Sequence, residues 1–282
     1  MPHGRPRYGT SSWSEKSWVG PFYPEGTQPG DYLRHYATVF DTVEADVTYY
    51  RVPDRRLVDG WNEKTPDGFV LSAKFPRGIV HGGDGPKPDG SKVLLPEHVR
   101  GDTDRFLEAM EGLGQKCGPL VLQFPYFNKG AFSSKGPFFE RLNAYLGSLP
   151  AQFRYGVELR NKSWLDADLL GMLREHGVAL VLVDLLYMPH PADLPEKLGI
   201  EPRELITADF TYARLIGDRK AVDDKTETFD RIVIDQTPRL ERWATLLRTL
   251  LEHVPEAYTY ANNHYAGHGP ATIRDLANRV ES

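Results

Sequence analysis

Tyr155-Gly156-Val157-Glu158-Leu159-Arg160 is the stretch that decides the fold. Side chains alternate faces along a strand, so Val157 and Leu159 share one face while Glu158 and Arg160 share the other. The apolar face suits a layer of helices, and the charged face needs a polar enclosure. Seven other short apolar runs end in the same polar way, at 7–12, 42–46, 69–74, 119–124, 179–184, 211–217 and 257–263. Helical periodicity lies between most of them, at 30–39, 53–64, 102–116, 137–149, 167–176, 238–253 and 271–280. Strand and helix alternate until a parallel sheet can close on itself. Eight such units in 282 residues make an α/β chain of one domain, residues 1–282, folded as a single TIM-type (β/α)8 barrel.

Parity extends to the other runs. Phe69, Leu71 and Ala73 point outward, and Val70, Ser72 and Lys74 inward. Gln123 points in, between outward Leu122 and Phe124, and Glu44 and Asp46 point in, between outward Val43 and Ala45. Asp184 and Arg214 are expected to end their strands in the same way, side by side. The rim therefore gathers Thr10 or Ser12, Glu44, Asp46, Lys74, Gln123, Glu158, Arg160, Asp184, Arg214, and Asn262 or Asn263. Barrel enzymes keep their sites at this C-terminal face. Burying charges costs several kcal/mol even after relaxation, so a dense ionic rim favours a pocket over a purely structural set of ion pairs.

Composition narrows the function classes. A chain that is 40% hydrophobic can bury a full core. A net charge of −5 offers no field for non-specific nucleic-acid binding. The lone Cys117 can form no internal disulfide and fits a reducing compartment. The start, Met1-Pro2-His3-Gly4-Arg5, has no apolar signal region, and no segment reads as a membrane span. The expectation is a cytoplasmic protein without a membrane partner. Long connections follow strand 3 (77–101) and strand 6 (185–205, with four prolines), and the first reads as a lid over the rim.

The exit of strand 8, Asn262-Asn263-His264-Tyr265-Ala266-Gly267-His268-Gly269-Pro270, precedes a helix. Free backbone N–H groups at a helix N-terminus bind anions, and barrels often hold phosphate beside strands 7 and 8. Asn262, Asn263, His264, Gly267 and Gly269 are thus candidate ligand contacts, with Arg160, Arg214 and Gln123. Aromatic residues crowd the same rim, among them Trp13, Trp18, Phe22, Tyr49, Tyr50 and Tyr126; Trp13 and Tyr49 are candidates to stack on a ligand ring, although such residues also pack loops over a barrel mouth. His81, His190, His264 and His268 fall after strands 3, 6 and 8, but no His-x-His, His-Glu-x-x-His or Cys-x-x-Cys spacing occurs. No cofactor fingerprint is present, and a divalent metal is kept only as the alternative.

Several stretches resemble the YecE-like family, also called DUF72 (domain of unknown function 72). They are Tyr8-Gly9-Thr10-Ser11-Ser12-Trp13 with Phe22-Tyr23-Pro24, Val43-Glu44 through Thr48-Tyr49-Tyr50, Lys74-Phe75-Pro76-Arg77 with His81, and Gln123-Phe124-Pro125. Val157-Glu158-Leu159-Arg160 with Ser163-Trp164, Tyr212-Ala213-Arg214 with Gly217, and the Asn262-Asn263 tract complete the set. The resemblance implies a barrel fold and names no activity; kinship with endonuclease-IV-like and sugar-isomerase-like barrels is analogy of fold. Asp46 stands where many members have Asn, and Ile216 where a His often precedes the glycine, which removes one candidate metal ligand.

The leading expectation is an enzyme acting on a small anionic or phosphorylated metabolite or nucleotide fragment, by hydrolysis or isomerisation. Lys74, Arg160 and Arg214 supply positive charge, Glu44 or Glu158 is the general base, and Asp184 completes the catalytic set. The alternatives are a metal-dependent nuclease or hydrolase using Glu44, Glu158, Asp184 and His264, and a non-catalytic ligand-binding module.

Overall fold

A computed structural model describes residues 4–83 and 85–282. Met1, Pro2 and His3 of the start read above, and Asp84 of the 77–101 connection, lie outside these. Eight strands form one parallel sheet: β1 (Arg5–Thr10), β2 (Thr42–Ala45), β3 (Val70–Lys74), β4 (Cys117–Gln123), β5 (Tyr155–Glu158), β6 (Ala179–Leu185), β7 (Phe210–Gly217) and β8 (Glu256–Ala261). The helices are α1 (Tyr32–Tyr36), α2 (Arg55–Lys64), α3 (Arg77–His81), α4 (Pro96–Glu111), α5 (Lys135–Ser148), α6 (Ala167–Glu175), α7 (Leu194–Leu198), α8 (Arg219–Asp223), α9 (Thr237–Leu251) and α10 (Gly269–Glu281). Local chemistry sets their starts. Asp54, Asp166 and Asp218 accept the backbone N–H of Leu57, Leu169 and Ala221, and Pro96, Pro238 and Pro270 occupy first turns, where no amide donor is missed.

The pairing order is β1-β8-β7-β6-β5-β4-β3-β2, so β1 and β2 are the edges that meet as the barrel closes. A tyrosine joins them. The Tyr36 hydroxyl accepts from the Thr10 amide at 2.8 Å and donates to the Thr42 carbonyl at 3.1 Å. Gly9 permits the approach, since a Cβ there would lie 2.2 Å from the Thr42 carbonyl oxygen.

Strand parity divides the core in two. Val43, Leu71, Leu122, Val157, Leu182 and Leu215 face the helices. Val70, Val121, Val181, Tyr212, Tyr258 and Tyr260 fill the barrel interior. At the N-terminal end, Arg7 and Arg154 both donate to Glu256, at 2.9 and 2.6 Å, closing the floor with charge. The connection after strand 3 carries α3 and an α4 that starts at Pro96, six residues ahead of the expected 102; the connection after strand 6 carries α7. Both long loops thus have helices of their own.

Candidate functional site

Above Tyr212 and Tyr260, inward side chains from five strands meet at the C-terminal end of the barrel. Arg214 of β7 stands at the centre, 1% exposed. Its Nη2 and Nε donate to Glu44 Oε1 at 2.8 and 3.2 Å, and its Nη1 donates to Gln123 Oε1 at 2.8 Å and to Glu158. Glu44 also accepts from the Tyr212 hydroxyl at 2.7 Å and lies 3.3 Å from Lys74 Nζ. Arg160 Nε donates to the second oxygen of Glu158 at 2.9 Å. Lys74 reaches outward to Asp46 as well. Three cations and three carboxylates interlock, so the cluster is neutral as a whole.

Depth separates the members. Glu44 and Glu158 are fully buried, whereas the side chains of Asp46 and Arg160 remain 32% and 23% exposed. Burial alone would raise the Glu44 carboxyl, but the charges of Arg214 and Lys74, with hydrogen bonds from Tyr212 and Arg214, outweigh it and hold it at about 2. Glu158 is lowered in the same manner, with Arg214 and Arg160 overcoming its burial. Asp46 goes the other way. Partial burial and the neighbouring Glu44 charge push it above its ordinary 3.8, against the pull of Lys74. Two carboxylates sharing one ammonium are thereby split into a fixed anion and a group that exchanges protons more readily. The expected base was Glu44 or Glu158; both lie fully buried and ion-paired, and Asp46 is the carboxylate of the cluster that remains partly exposed.

Asp184 requires a correction. It shares the outward face of β6 with Leu180 and Leu182, and its register partner is Leu215 rather than Arg214. There it accepts from Trp243 Nε1 at 3.0 Å, the Tyr265 hydroxyl at 2.8 Å and Arg239. His190 packs beside it, and burial lowers that imidazole to about 4. Asp184 therefore ties β6 to α9 and to the segment after β8, on the far side of the sheet from the ionic cluster.

The exit of β8 is a second correction. Asn263 Oδ1 accepts from the Gly269 amide at 2.9 Å, and His268 Nδ1 from the Ala271 amide at 3.3 Å. Asn262 Oδ1 accepts from the His264 amide at 3.0 Å. Gly267, at φ +109°, passes close enough to the chain that a Cβ would lie 2.6 Å from the Arg231 carbonyl oxygen. The donors expected to hold an anion at the start of α10 are capped by the chain's own side chains. His264 turns toward Asp223, 3.2 Å away, and stacks edge-on to Phe229. Trp13 packs edge-on against Trp61 of α2 at 5.8 Å. Tyr49 stays near the mouth, within electrostatic reach of Arg160 and Glu158.

Among the described residues no three His, Cys, Asp or Glu side chains come together as a metal would need. Asp184 and His264, required by the metal-dependent alternative, lie apart from Glu44 and Glu158. Tyr212, the hydroxyl that fixes Glu44, is not among the site residues expected from the sequence; its inward parity, two residues before Arg214, is the signal that would have found it.

Fold and site together define a (β/α)8 barrel with an interlocked, charge-neutral ionic cluster at the C-terminal ends of its strands. The family model described as "Protein of unknown function DUF72" matches residues 7–282, and the chain belongs to that family. It is 27% identical over 263 residues to the UPF0759 protein YecE of Escherichia coli strain K12, covering 88% of this chain and 86% of that one. The crystal structure of a DUF72 family protein from Thermotoga maritima MSB8 is similar with a TM-score of 0.71 at 26% identity, covering 98% and 99% of the two chains. A DUF72 family protein from Enterococcus faecalis V583 gives 0.70 at 19% identity, covering 99% and 96%, a likeness of fold. No helix of the described residues is long and apolar enough to cross a membrane.

Proposed function

We propose that the barrel mouth is the site of an enzyme that moves a proton on a small anionic molecule, such as a phosphorylated metabolite or a nucleotide fragment. The observation that carries this reading is the gradation within the ionic cluster: its buried members are fully paired, and its two most open members are a carboxylate and a guanidinium. Arg160 spends only its Nε on Glu158 and keeps its terminal nitrogens for an anionic group of the substrate. Asp46 takes and returns the proton. Lys74, pinned between Glu44 and Asp46, stabilises negative charge developing on the substrate. Arg214, Glu44, Glu158 and Gln123 form the rigid floor that holds these groups in place, and isomerisation or hydrolysis would both use them.

Thermal-shift screening against phosphorylated and carboxylated metabolites tests this. At least one compound is expected to raise the melting temperature, and Arg160→Ala should abolish that shift. Asp46→Asn should keep the shift but lower conversion of the same compound by about 10²- to 10⁴-fold. Stabilisation that survives Arg160→Ala, or turnover that survives Asp46→Asn, overturns the assignment. Binding by the wild-type protein without conversion replaces the enzyme with a ligand-binding module.

A further inference from the structure

Beside the mouth lies a cleft of about 580 Å³ built from the segments that leave β2 and β3. Among the described residues it is lined by four cations, Arg51, Arg77, Lys92 and Arg105, against the single carboxylate Asp102. We propose that this cleft binds the phosphate or pyrophosphate portion of the ligand whose reacting portion lies over Asp46 and Lys74; the proposal rests on the reading of the mouth given above.

Connectivity makes the two sites one surface. β2 ends at Ala45; Asp46 follows at the mouth, then the 3-10 turn Val47–Tyr49, and Tyr50 and Arg51 already line the cleft. β3 ends at Lys74, and Pro76 and Arg77 line the cleft two and three residues later. The acid–base pair and the cationic wall are thus carried by the same two strand ends. Tyr49 and Tyr50, ring to edge at 5.6 Å, stand between them, and the Tyr49 phenol lies within electrostatic reach of Arg160 on one side and Arg77 on the other.

The donors in the cleft are undersaturated. Arg77 Nη2 donates to the Gly85 carbonyl, but its Nε is buried and has no hydrogen-bond partner among the described residues. Arg105 is two-thirds exposed and paired only with Asp102, and Lys92 is half exposed beside Asp89. Arg51 is exposed and forms no ion pair among the described residues. Several guanidinium groups lining one concavity can hold the multiple oxygens of a phosphate by charge-assisted, bidentate hydrogen bonds. A chain of net charge −5 that gathers four cations in one cleft has concentrated its positive charge where an anion with several charges would gain most.

Inorganic pyrophosphate is the probe, titrated calorimetrically into the full chain. The wild-type protein should bind at one site. The double variant Arg51→Ala/Arg105→Ala should bind about tenfold or more weakly, and Asp102→Asn, which removes the one opposing charge, should bind more tightly, with melting temperatures unmoved in both. Lys220→Ala, an exposed lysine of α8 outside both the cleft and the mouth, should leave pyrophosphate affinity unchanged. Absence of binding at millimolar pyrophosphate, equal affinity in the double variant, or weaker binding by Asp102→Asn overturns the cleft. An equal loss of binding in Lys220→Ala would show that overall charge rather than the cleft holds the anion, and overturns it too. Failure of Asp46→Asn to affect turnover would refute the mouth chemistry while leaving these titrations intact, so the two readings fall separately.

Discussion

Arg214→Met removes the one cation that both buried carboxylates share, and its cost can be worked from the contacts. Wild-type Arg214, Lys74 and Arg160 balance Glu44, Glu158 and Asp46. Without Arg214 the cluster carries one uncompensated negative charge in a site from which water is excluded. Breaking a buried pair in this way costs about 3–5 kcal/mol. The lower end applies, because Glu44 keeps Lys74 and the Tyr212 hydroxyl, and Glu158 keeps Arg160. Arg214, with Lys74 and the Tyr212 hydroxyl, holds the Glu44 carboxyl at about 2, below its ordinary 4.5, which agrees in direction with a loss of about 3 kcal/mol. For a chain of 282 residues that is a loss of roughly 5 °C in melting temperature. In the wild type, the Glu44 contribution is present above pH 4.5 and is lost as pH falls through about 2, since its folded value is the depressed one. In the variant, burial is no longer outweighed and the folded carboxyl values rise, so protonation at mildly acidic pH relieves the excess charge. Urea unfolding should therefore show a deficit of about 3 kcal/mol at pH 7.5 that narrows at pH 5. Adding Glu44→Gln to Arg214→Met restores neutrality and should recover part of the deficit at pH 7.5. A variant within about 1 kcal/mol of wild type at pH 7.5, or a deficit indifferent both to pH and to Glu44→Gln, would refute the account of Arg214 as keystone.

Tyr36→Phe removes the hydroxyl that links β1 to β2 and leaves the buried Thr10 amide without its acceptor, at about 1–3 kcal/mol; hydrogen exchange at that amide should accelerate, and unchanged protection would show that the barrel closes by other means. Asp184→Ala strands the Trp243 and Tyr265 donors and the Arg239 guanidinium, and should destabilise by about 3 kcal/mol in chemical denaturation. Because Asp184 faces the helices, ligand affinity at the mouth should be unchanged wherever the variant is folded, and a selective loss of binding would return it to the site.

The barrel was legible because period-two alternation constrains every strand at once. Glu44, Lys74, Gln123, Glu158, Arg160 and Arg214 each lie out of phase with the outward residues Val43, Leu71, Leu122, Val157 and Leu215 that pack on the helices, and each arrives in the cluster. Asp184 lies in phase with Leu180 and Leu182, which pack on the helices. The same parity placed it outward, and only its position at the end of a strand suggested otherwise. The bond from Trp243 could not be read, because it depends on how α9 docks, a tertiary fact without a local pattern. The exit of β8 misled for a related reason. Asn, His and Gly before a helix supply both an anion site and the caps that fill one, and sequence carries no signal for which side chains turn back onto the amides. The cleft beside β3 was hidden because its arginines come from three separated segments, at 51, 77 and 105.

These differences change the chemistry assigned to the mouth. Arg214 looked like a ligand contact because an inward arginine at a barrel rim has few other uses, yet its three nitrogens are occupied by Glu44, Glu158 and Gln123. A guanidinium so engaged would have to break charge-assisted bonds to meet a substrate, whereas Arg160 bonds through its Nε alone and Arg51 forms no ion pair among the described residues. The deep charges therefore act on each other and hold Glu44 as an anion, which adds to burial in raising Asp46 against the pull of Lys74. On the proposed reading, positive charge for the ligand comes from the periphery, and the balanced core lets the barrel bury Arg214, Glu44, Glu158 and Lys74 together while Asp46 and Arg160 stay partly exposed.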